Sequence, residues 1–297
     1  MANRSLDGHV AIVAGASRGI GMGVAIELGA AGAFVYALGR TLEPGSGAAA
    51  GSLVETVDLV ESLGGNAVPI QCDCTDESAL EAVIEKVRAG PGRLDVLVNS
   101  VFAAGPFSHS IGRRFWETST DAWSAVVDLG ARSAYAASVL AAPLLITTAR
   151  DSHRPTLIVN VSGRGAVAYR YNVVYGVGKA ATERLTRDMA IDLAAYNVAV
   201  VSIWPNGHAS EPVETPRYNG RAVAALAADR SIMDKSGAHY WSAELGAEYD
   251  FTDELGHRHE VGELEDESST PDGARAARDR RAQRRLENQT RPQPSEA

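Results

Sequence analysis

Cysteine is nearly absent from the 297-residue sequence, which contains only Cys72 and Cys74. Side chains two residues apart on a strand point to the same side and lie too close together to bridge easily. We therefore expect no disulfide, and this cysteine usage is typical of an intracellular protein. No cluster of further ligands accompanies the pair, so we predict no bound metal.

Long apolar runs and an excess of basic residues are also missing. No run reaches the about 18–20 residues that a membrane helix needs, and residues 1–8 lack the apolar core of a signal peptide. The net charge is −9, which argues against general nucleic-acid binding. Together these absences predict a cytoplasmic protein with neither a membrane nor a nucleic acid as its partner.

Strand and helix patterns alternate through the first part of the chain. Apolar runs of strand length occupy residues 9–14, 33–39, 67–72 and 94–98, with helical segments between them. A βαβαβαβ order with short connections predicts a parallel sheet with right-handed crossovers. We therefore expect one α/β domain over residues 1–262, a Rossmann-type doubly wound parallel sheet in three α/β/α layers.

The second half continues this pattern and then departs from it. Residues 156–161 and 198–204 are strand candidates, and residues 239–242 are a candidate for a last strand. Two prolines and a short helical pattern mark residues 206–240 as a substrate flap. The acidic and arginine-rich segment 263–297 is typical of a disordered or weakly helical polar tail.

A glycine-rich turn joins the first strand to the first helix. Gly15, Gly19 and Gly21 follow the spacing G-x-x-x-G-x-G. Glycine lets the backbone turn tightly and approach a pyrophosphate, and a helix N-terminus offers unpaired N–H groups to the anion. The turn therefore predicts the phosphate site of a dinucleotide.

The second strand ends at Arg40, where NAD-binding proteins usually carry an acidic residue for the ribose 2′-hydroxyl. A guanidinium at this position, together with Arg18 in the glycine turn, can bind a 2′-phosphate. The pair predicts that NADP(H) is favoured over NAD(H). The alternative is that both arginines are solvated surface residues.

Tyr175 and Lys179 lie four residues apart at the start of a helical pattern, so both side chains are on one helix face. A free tyrosine has a pKa of about 10, and a nearby ammonium lowers that pKa by favouring the phenolate. Ser162 ends a strand and can donate a hydrogen bond to a carbonyl oxygen. The three residues predict a proton-donating site, although the Tyr-Lys pair alone also fits an ordinary surface helix.

One ordered set of residues has a counterpart in a known family. The set comprises Gly15, Gly19, Gly21, Asp73, Asn99, Ser162, Tyr175, Lys179 and Pro205. Through it, residues 5–260 resemble the short-chain dehydrogenase/reductases. Within that family, residues 115–118, 173–181 and 202–205 are most similar to the branch of dehydrogenase/reductase member 1.

The resemblance implies a role for each matching residue. Tyr175 would be the general acid in carbonyl reduction and the base in alcohol oxidation. Lys179 would lower the pKa of the tyrosine and hold the nicotinamide ribose, and Ser162 would bind the substrate oxygen. The residues implied to form the remaining cofactor site are Gly15, Ser17, Arg18, Gly19, Ile20, Gly21, Arg40, Asp73, Cys74 and Asn99, with Pro205 and Ser210 near the nicotinamide.

The sequence departs from the family pattern at three places. Gly130 stands where the family usually has an asparagine that is thought to hold a proton-relay water. Phe102 brings a bulky aromatic ring beside the site, and the usual Pro-Gly after the sixth strand reads Pro205-Asn206-Gly207. The last change puts the geometry of the nicotinamide-side loop in doubt.

We interpret the chain as an NADP(H)-dependent oxidoreductase that transfers hydride between the nicotinamide and a carbonyl or alcohol of a small apolar substrate. The pocket would be edged by Val101, Phe102, Val167, Tyr169, Trp204 and His208. The alternative is a catalytically silent NAD(P)-binding regulatory or scaffold protein on the same fold. An epimerase or dehydratase is disfavoured because little chain is left for a larger substrate domain. The resemblance also implies a homodimer or homotetramer joined through residues 120–148 and 172–196.

Overall fold

One parallel sheet forms the centre of the molecule, in a computed structural model that describes residues 4–47, 49–102, 110–206, 214–261 and 272. Its strand order is β3-β2-β1-β4-β5-β6-β7, and every neighbouring pair is parallel. The strands are β1 (Val10–Ala14), β2 (Phe34–Gly39), β3 (Asn66–Gln71), β4 (Val96–Asn99), β5 (Thr156–Val161), β6 (Val198–Trp204) and β7 (His239–Trp241). The order confirms the predicted Rossmann-type architecture.

Helices cover both faces of the sheet. They are α1 (Gly19–Ala30), α2 (Leu53–Ser62), α3 (Glu77–Ala89), α4 (Ser133–Ser152), α5 (Val173–Leu193), α6 (Pro216–Ala228) and α7 (Ser242–Glu248). Apolar residues of α1, α2 and α6 form one core with the sheet, and those of α3, α4 and α5 form the other. β1 and β6 are buried at every position, as expected of parallel strands that are covered on both sides.

Side-chain caps define the starts of several helices. Asp76 accepts hydrogen bonds from the backbone N–H groups of Ser78 and Ala79 and begins α3. Ser52 caps α2 through the N–H of Glu55. These local contacts fix where each helix leaves the carboxyl edge of the sheet.

A π-helical segment, Ser124–Arg132, precedes α4 and follows a single helical turn at Asp121–Trp123. The combined helical stretch Asp121–Ser152 is long and apolar enough, by length and composition alone, to cross a membrane, contrary to the sequence-based expectation. Its most apolar window is 56% buried inside the molecule. The buried core helix of a soluble protein can have the same length and apolar composition, so this stretch is weak evidence for a membrane span.

The region expected to be a substrate flap includes α6, which is a packed helix. Thr215 caps α6 by accepting from the N–H of Tyr218, and Pro216 occupies the first helical turn. The side chains of Tyr218, Val223 and Leu226 are fully buried. Residues 207–213 of the expected flap lie outside the described residues, as does nearly all of the tail. What the sequence predicts for these segments stays a prediction.

Candidate active site

A cavity of about 830 Å³ opens at the carboxyl edge of the sheet, where ligands of doubly wound folds bind. Most of the predicted site residues line it: Gly15, Ser17, Arg18, Gly19, Ile20, Arg40, Asp73, Cys74, Ser162, Tyr175, Lys179 and Pro205. Gly21 and Asn99 are not among its lining residues. Ser210 and His208 lie outside the described part of the chain.

The glycine turn has no room for side chains at two of its positions. Gly15 has a φ of +85°, and a Cβ there would lie 2.5 Å from the carbonyl oxygen of Ser100. A Cβ at Gly21 would lie 2.2 Å from the carbonyl oxygen of Gly15. The turn therefore packs against β4 and α1, and the N-terminus of α1 borders the cavity. This cradle fits the pyrophosphate of a dinucleotide.

The guanidinium groups of Arg18, in the glycine turn, and of Arg40, after β2, both border the cavity. Arg18 donates from Nη2 to Thr41 Oγ1 at 2.9 Å, whereas its buried Nε has no hydrogen-bond partner among the described residues. Arg40 is exposed at the end of β2. The Nε donor of Arg18 and the exposed guanidinium of Arg40 fit the oxygen atoms of a phosphate group.

The end of β3 adds a carboxylate and two thiols to the cavity wall. Asp73 is held in place by hydrogen bonds from the backbone N–H and the hydroxyl of Thr75. Cys72 and Cys74 are buried free thiols. Hydrogen bonding to Cys72, together with burial, raises the pKa of Cys74, so this side chain stays a thiol.

Asn99 is buried and is not among the residues that line this cavity, so its expected contact with the cofactor stays a prediction. Its Nδ2 donates to Asn160 Oδ1 at 2.9 Å and to Ser138 Oγ at 3.2 Å. Asn160 in turn donates to Thr186 Oγ1 at 2.9 Å. This buried chain of hydrogen bonds links β4, β5, α4 and α5, and so braces the elements that carry the site.

Tyr175 and Lys179 stand on the first two turns of α5. Asn172 caps this helix and accepts a hydrogen bond of 2.8 Å from the N–H of Tyr175. Lys179 Nζ donates to the carbonyl oxygen of Val161 at 3.1 Å and lies 5.7 Å from the centre of the Tyr175 ring. The cap and this hydrogen bond fix both side chains relative to the end of β5.

Ser162 follows β5 directly and lines the same cavity. Its N–H bonds to the carbonyl oxygen of Ile203, which continues the pairing with β6. Its buried Oγ has no hydrogen-bond partner within the described ranges. A buried polar atom without a partner is uncommon and often marks a place where a ligand binds.

Aromatic rings surround Tyr175. Tyr171 and Phe102 meet its ring edge to face, at centroid distances of 5.0 and 6.4 Å. Gly165 lies against the same ring, since a Cβ there would lie 2.4 Å from Tyr175 Cε1. Sequence reasoning missed Gly165 and Tyr171, because only the fold brings the turn after β5 against α5.

The electrostatics of the pair differ from the expectation that Lys179 lowers the pKa of Tyr175. Burial raises the pKa of Tyr175, the neighbouring Tyr171 raises it further, and Arg170 partly opposes both. Burial lowers the pKa of Lys179 to about 8, against the opposing charge of Glu183. The phenol is therefore protonated at neutral pH, and the ammonium titrates close to the physiological range.

Gly130, at the position of the family's asparagine, lies in the π-helical segment. A Cβ there would meet no atom within 4 Å. Gly130 and Lys179 both border a second cavity of about 20 Å³, which is near the volume that one water molecule needs. The missing amide therefore leaves open space beside the lysine.

Comparison with known proteins identifies the family. Residues 9–217 match the model of the short chain dehydrogenases. Dehydrogenase/reductase SDR family member 1 of Mus musculus is 36% identical over 275 residues, 84% of each chain.

Solved structures agree with this assignment. A metagenomic short-chain oxidoreductase in complex with NADP is 28% identical, with a TM-score of 0.63 over 76% of this chain and 93% of that one. A 7α-hydroxysteroid dehydrogenase complexed with NADH and 7-oxo glycochenodeoxycholic acid shares the fold, with 24% identity and a TM-score of 0.66 over 80% of this chain and 94% of that one. The protein therefore belongs to the short-chain dehydrogenase/reductase family, in the branch of dehydrogenase/reductase member 1, and is an NAD(P)-dependent oxidoreductase.

Proposed function

We propose that this protein reduces a ketone or aldehyde group on a small apolar substrate, with NADPH favoured over NADH. One observation carries the proposal. The side chain of Tyr175 borders the same cavity as the buried Oγ of Ser162, which has no hydrogen-bond partner among the described residues. A protonated phenol beside a second hydroxyl suits proton donation to a carbonyl oxygen.

The residues that would hold the cofactor extend along the cavity. The turn with Gly15 and Gly19 would take the pyrophosphate, and Lys179 would bind the nicotinamide ribose. Arg18 and Arg40 support the preference for NADPH, because a 2′-phosphate would supply acceptors for their guanidinium groups. Pro205 and Ser210 are proposed to lie near the nicotinamide.

The chain's own residues would then complete the reaction. The bound cofactor supplies the hydride to the carbonyl carbon. Ser162 Oγ donates a hydrogen bond to the carbonyl oxygen and polarises it. Tyr175 donates its phenolic proton to that oxygen as negative charge develops, and the ammonium of Lys179 stabilises the resulting phenolate.

An apolar substrate is supported by the remaining cavity wall. Its apolar and aromatic lining residues include Phe102, Ile111, Leu129, Tyr171 and Trp241. Of the other described residues expected to edge the pocket, Val101 lines the cavity, whereas Val167, Tyr169 and Trp204 are not among its lining residues. The wall therefore favours a substrate with an apolar body around its carbonyl group.

A homo-oligomer remains part of the proposal. Tyr135 and Val139 lie one turn apart on α4 and are 52% and 51% exposed, and Val173 and Val177 are exposed on α5. These are the helices through which a second copy is expected to pack. Light scattering on the purified protein would give the subunit count.

Turnover distinguishes an enzyme from a catalytically silent binding protein. The purified protein is mixed with NADPH or NADH and a panel of apolar ketones, quinones and aldehydes, and cofactor oxidation is followed. We expect oxidation with at least one carbonyl class and a preference for NADPH. Cofactor binding without oxidation across the panel would favour the regulatory or scaffold alternative.

A further inference from the structure

Glu183 is a buried acidic residue on α5 for which the proposed reaction has no use. It lies four residues after Lys179, which in turn lies four residues after Tyr175, so the three side chains occupy successive turns of one helix face. Glu183 is only 7% exposed. A carboxylate with this degree of burial is costly unless it is paired, so its contacts indicate what it does.

Both atoms that bind Glu183 most closely come from β6. Its Oε1 accepts hydrogen bonds from Ser202 Oγ at 2.6 Å and from Trp204 Nε1 at 2.7 Å. β6 continues directly into Pro205 and Asn206 at the floor of the cavity. Glu183 therefore ties the helix that carries Tyr175 and Lys179 to the strand that ends at the active site.

Glu183 lies one helical turn after Lys179, on the same face of α5. Burial lowers the pKa of Lys179, and Glu183 is the group that raises it. Among the described residues, the groups that contact the ammonium are the carbonyl oxygen of Val161 and the rings of Phe102 and Tyr175. None of these three carries a full negative charge at neutral pH.

His239 is the titratable side chain that faces Glu183 from β7. Its Nδ1 lies 3.8 Å from Glu183 Oε2, and its ring stacks on Trp204 at a centroid distance of 3.9 Å. The groups of β6 that contact Glu183, Ser202 and Trp204, do not titrate in the neutral range. A test of Glu183 must therefore control for His239.

We propose that Glu183 is a positioning residue that supplies the counter-charge of Lys179 from the next turn of α5 and ties the helix carrying Lys179 and Tyr175 to β6. The link to catalysis rests on the proposed function, because only a reaction that generates a phenolate on Tyr175 benefits from the ammonium. The effect on Lys179 itself does not depend on that function. The two parts can therefore be measured separately.

The lysine content of the chain makes a direct measurement possible. The sequence has three lysines, Lys86, Lys179 and Lys235, so each gives a separate signal in protein labelled with ¹³C at lysine Cε. The titration midpoint of Lys179 is followed by NMR in the wild type and in Glu183→Gln, which preserves the shape of the side chain and removes its charge. Lys86 and Lys235 serve as internal references.

We expect Glu183→Gln to lower the titration midpoint of Lys179 by about one pH unit, because the buried ammonium loses its counter-charge. Glu183→Asp, which keeps the charge, should give a Lys179 midpoint close to that of the wild type. Ser202→Ala removes a hydrogen bond to Glu183 but no charge, and should leave the midpoint nearly unchanged. The shift should persist in a His239→Asn background.

The dependence of kcat/KM on pH tests the link to catalysis. For carbonyl reduction by NADPH, kcat/KM should decline at high pH. In Glu183→Gln this decline should occur at a lower pH than in the wild type, by the same shift as the Lys179 midpoint. An unchanged midpoint overturns the proposal, and so does a shifted midpoint with an unmoved decline. Absence of reductase activity in the wild type would instead contradict the proposed function, while the NMR titration still decides the effect on Lys179.

A second variant covers the possibility that Glu183→Gln does not fold. The double variant Glu183→Leu with Ser202→Val removes the carboxylate and one of its donors together, which avoids leaving that hydroxyl buried without a partner. It should lower the midpoint of Lys179 in the same direction. A midpoint equal to that of the wild type would again overturn the proposal.

Discussion

Gly165 lies so close to Tyr175 that a Cβ at position 165 would be 2.4 Å from Cε1 of the ring. Gly165→Ala should therefore push the phenol away from Ser162. A misplacement of about 1 Å can cost about 10²-fold in rate, and we expect a loss of kcat of that size. Steady-state kinetics with NADPH and the best carbonyl substrate measure it.

Gly130→Ala is the matched control for this substitution. A Cβ at Gly130 meets nothing within 4 Å, and the residue lies in a helical segment. Alanine there should keep or raise the melting temperature, because it is a better helix former than glycine. Wild-type kcat in Gly165→Ala would contradict the close contact with Tyr175.

Ser162 should matter for activity but not for folding. Its buried Oγ makes no hydrogen bond to any residue that the structure describes, so Ser162→Ala leaves no protein group unsatisfied. Loss of a hydrogen-bond donor to a developing oxyanion typically costs about 10²-fold in kcat. We expect a loss of this order with an unchanged free energy of unfolding.

Ser138→Ala provides the opposite case. Ser138 is buried, donates to the carbonyl oxygen of Ala134 and accepts from Asn99. Its removal should cost about 1 kcal/mol of stability and little activity. If Ser162→Ala instead destabilised the fold and retained activity, Ser162 would have a structural role.

Arg40→Ala tests the cofactor preference. A charge-assisted hydrogen bond contributes about 1.5–3 kcal/mol, so the dissociation constant for NADPH should rise by about 10-fold or more while that for NADH stays nearly constant. Fluorescence titration measures both constants. Arg164→Ala, at another arginine of the cavity wall, should not discriminate between the cofactors. Equal losses for NADPH and NADH in Arg40→Ala would refute the 2′-phosphate contact.

Asn99→Leu distinguishes a role of Asn99 in stability from a role in cofactor binding. The substitution leaves Asn160 Oδ1 without the donor that now lies 2.9 Å away, and a buried polar atom without a partner costs about 1–3 kcal/mol. Chemical denaturation should show this loss of stability. The folded fraction should bind NADPH nearly as well as the wild type. A large loss of NADPH affinity with an unchanged free energy of unfolding would instead show that Asn99 takes part in cofactor binding.

The elements that the sequence predicts well are those with local signals. β5 and β6 have the expected bounds, because runs made mostly of β-branched and other apolar residues mark buried strands. The glycine turn and the Asp76 cap follow from backbone geometry within a few residues. Thr215 and Pro216 carry an equally local signal, an N-cap followed by proline in the first turn, and they begin the helix of segment 206–240.

The features that sequence reasoning missed depend on contacts between distant segments. Asn99 meets Asn160 because β4 and β5 pair in that register, and no pattern near Asn99 reveals it. The raised pKa of Tyr175 reflects burial by other elements, whereas the sequence shows only the nearby lysine. Glu183 could have been noticed, since it repeats the four-residue spacing of Tyr175 and Lys179.

The central claim is that Tyr175 donates the proton, and Tyr175→Phe tests it most directly. This substitution removes only the hydroxyl and keeps the ring that packs on Tyr171 and Phe102. Loss of a general acid typically costs about 10²–10⁴-fold, so we expect kcat to fall by that amount while NADPH affinity is retained. Turnover by Tyr175→Phe at the wild-type rate would contradict the account.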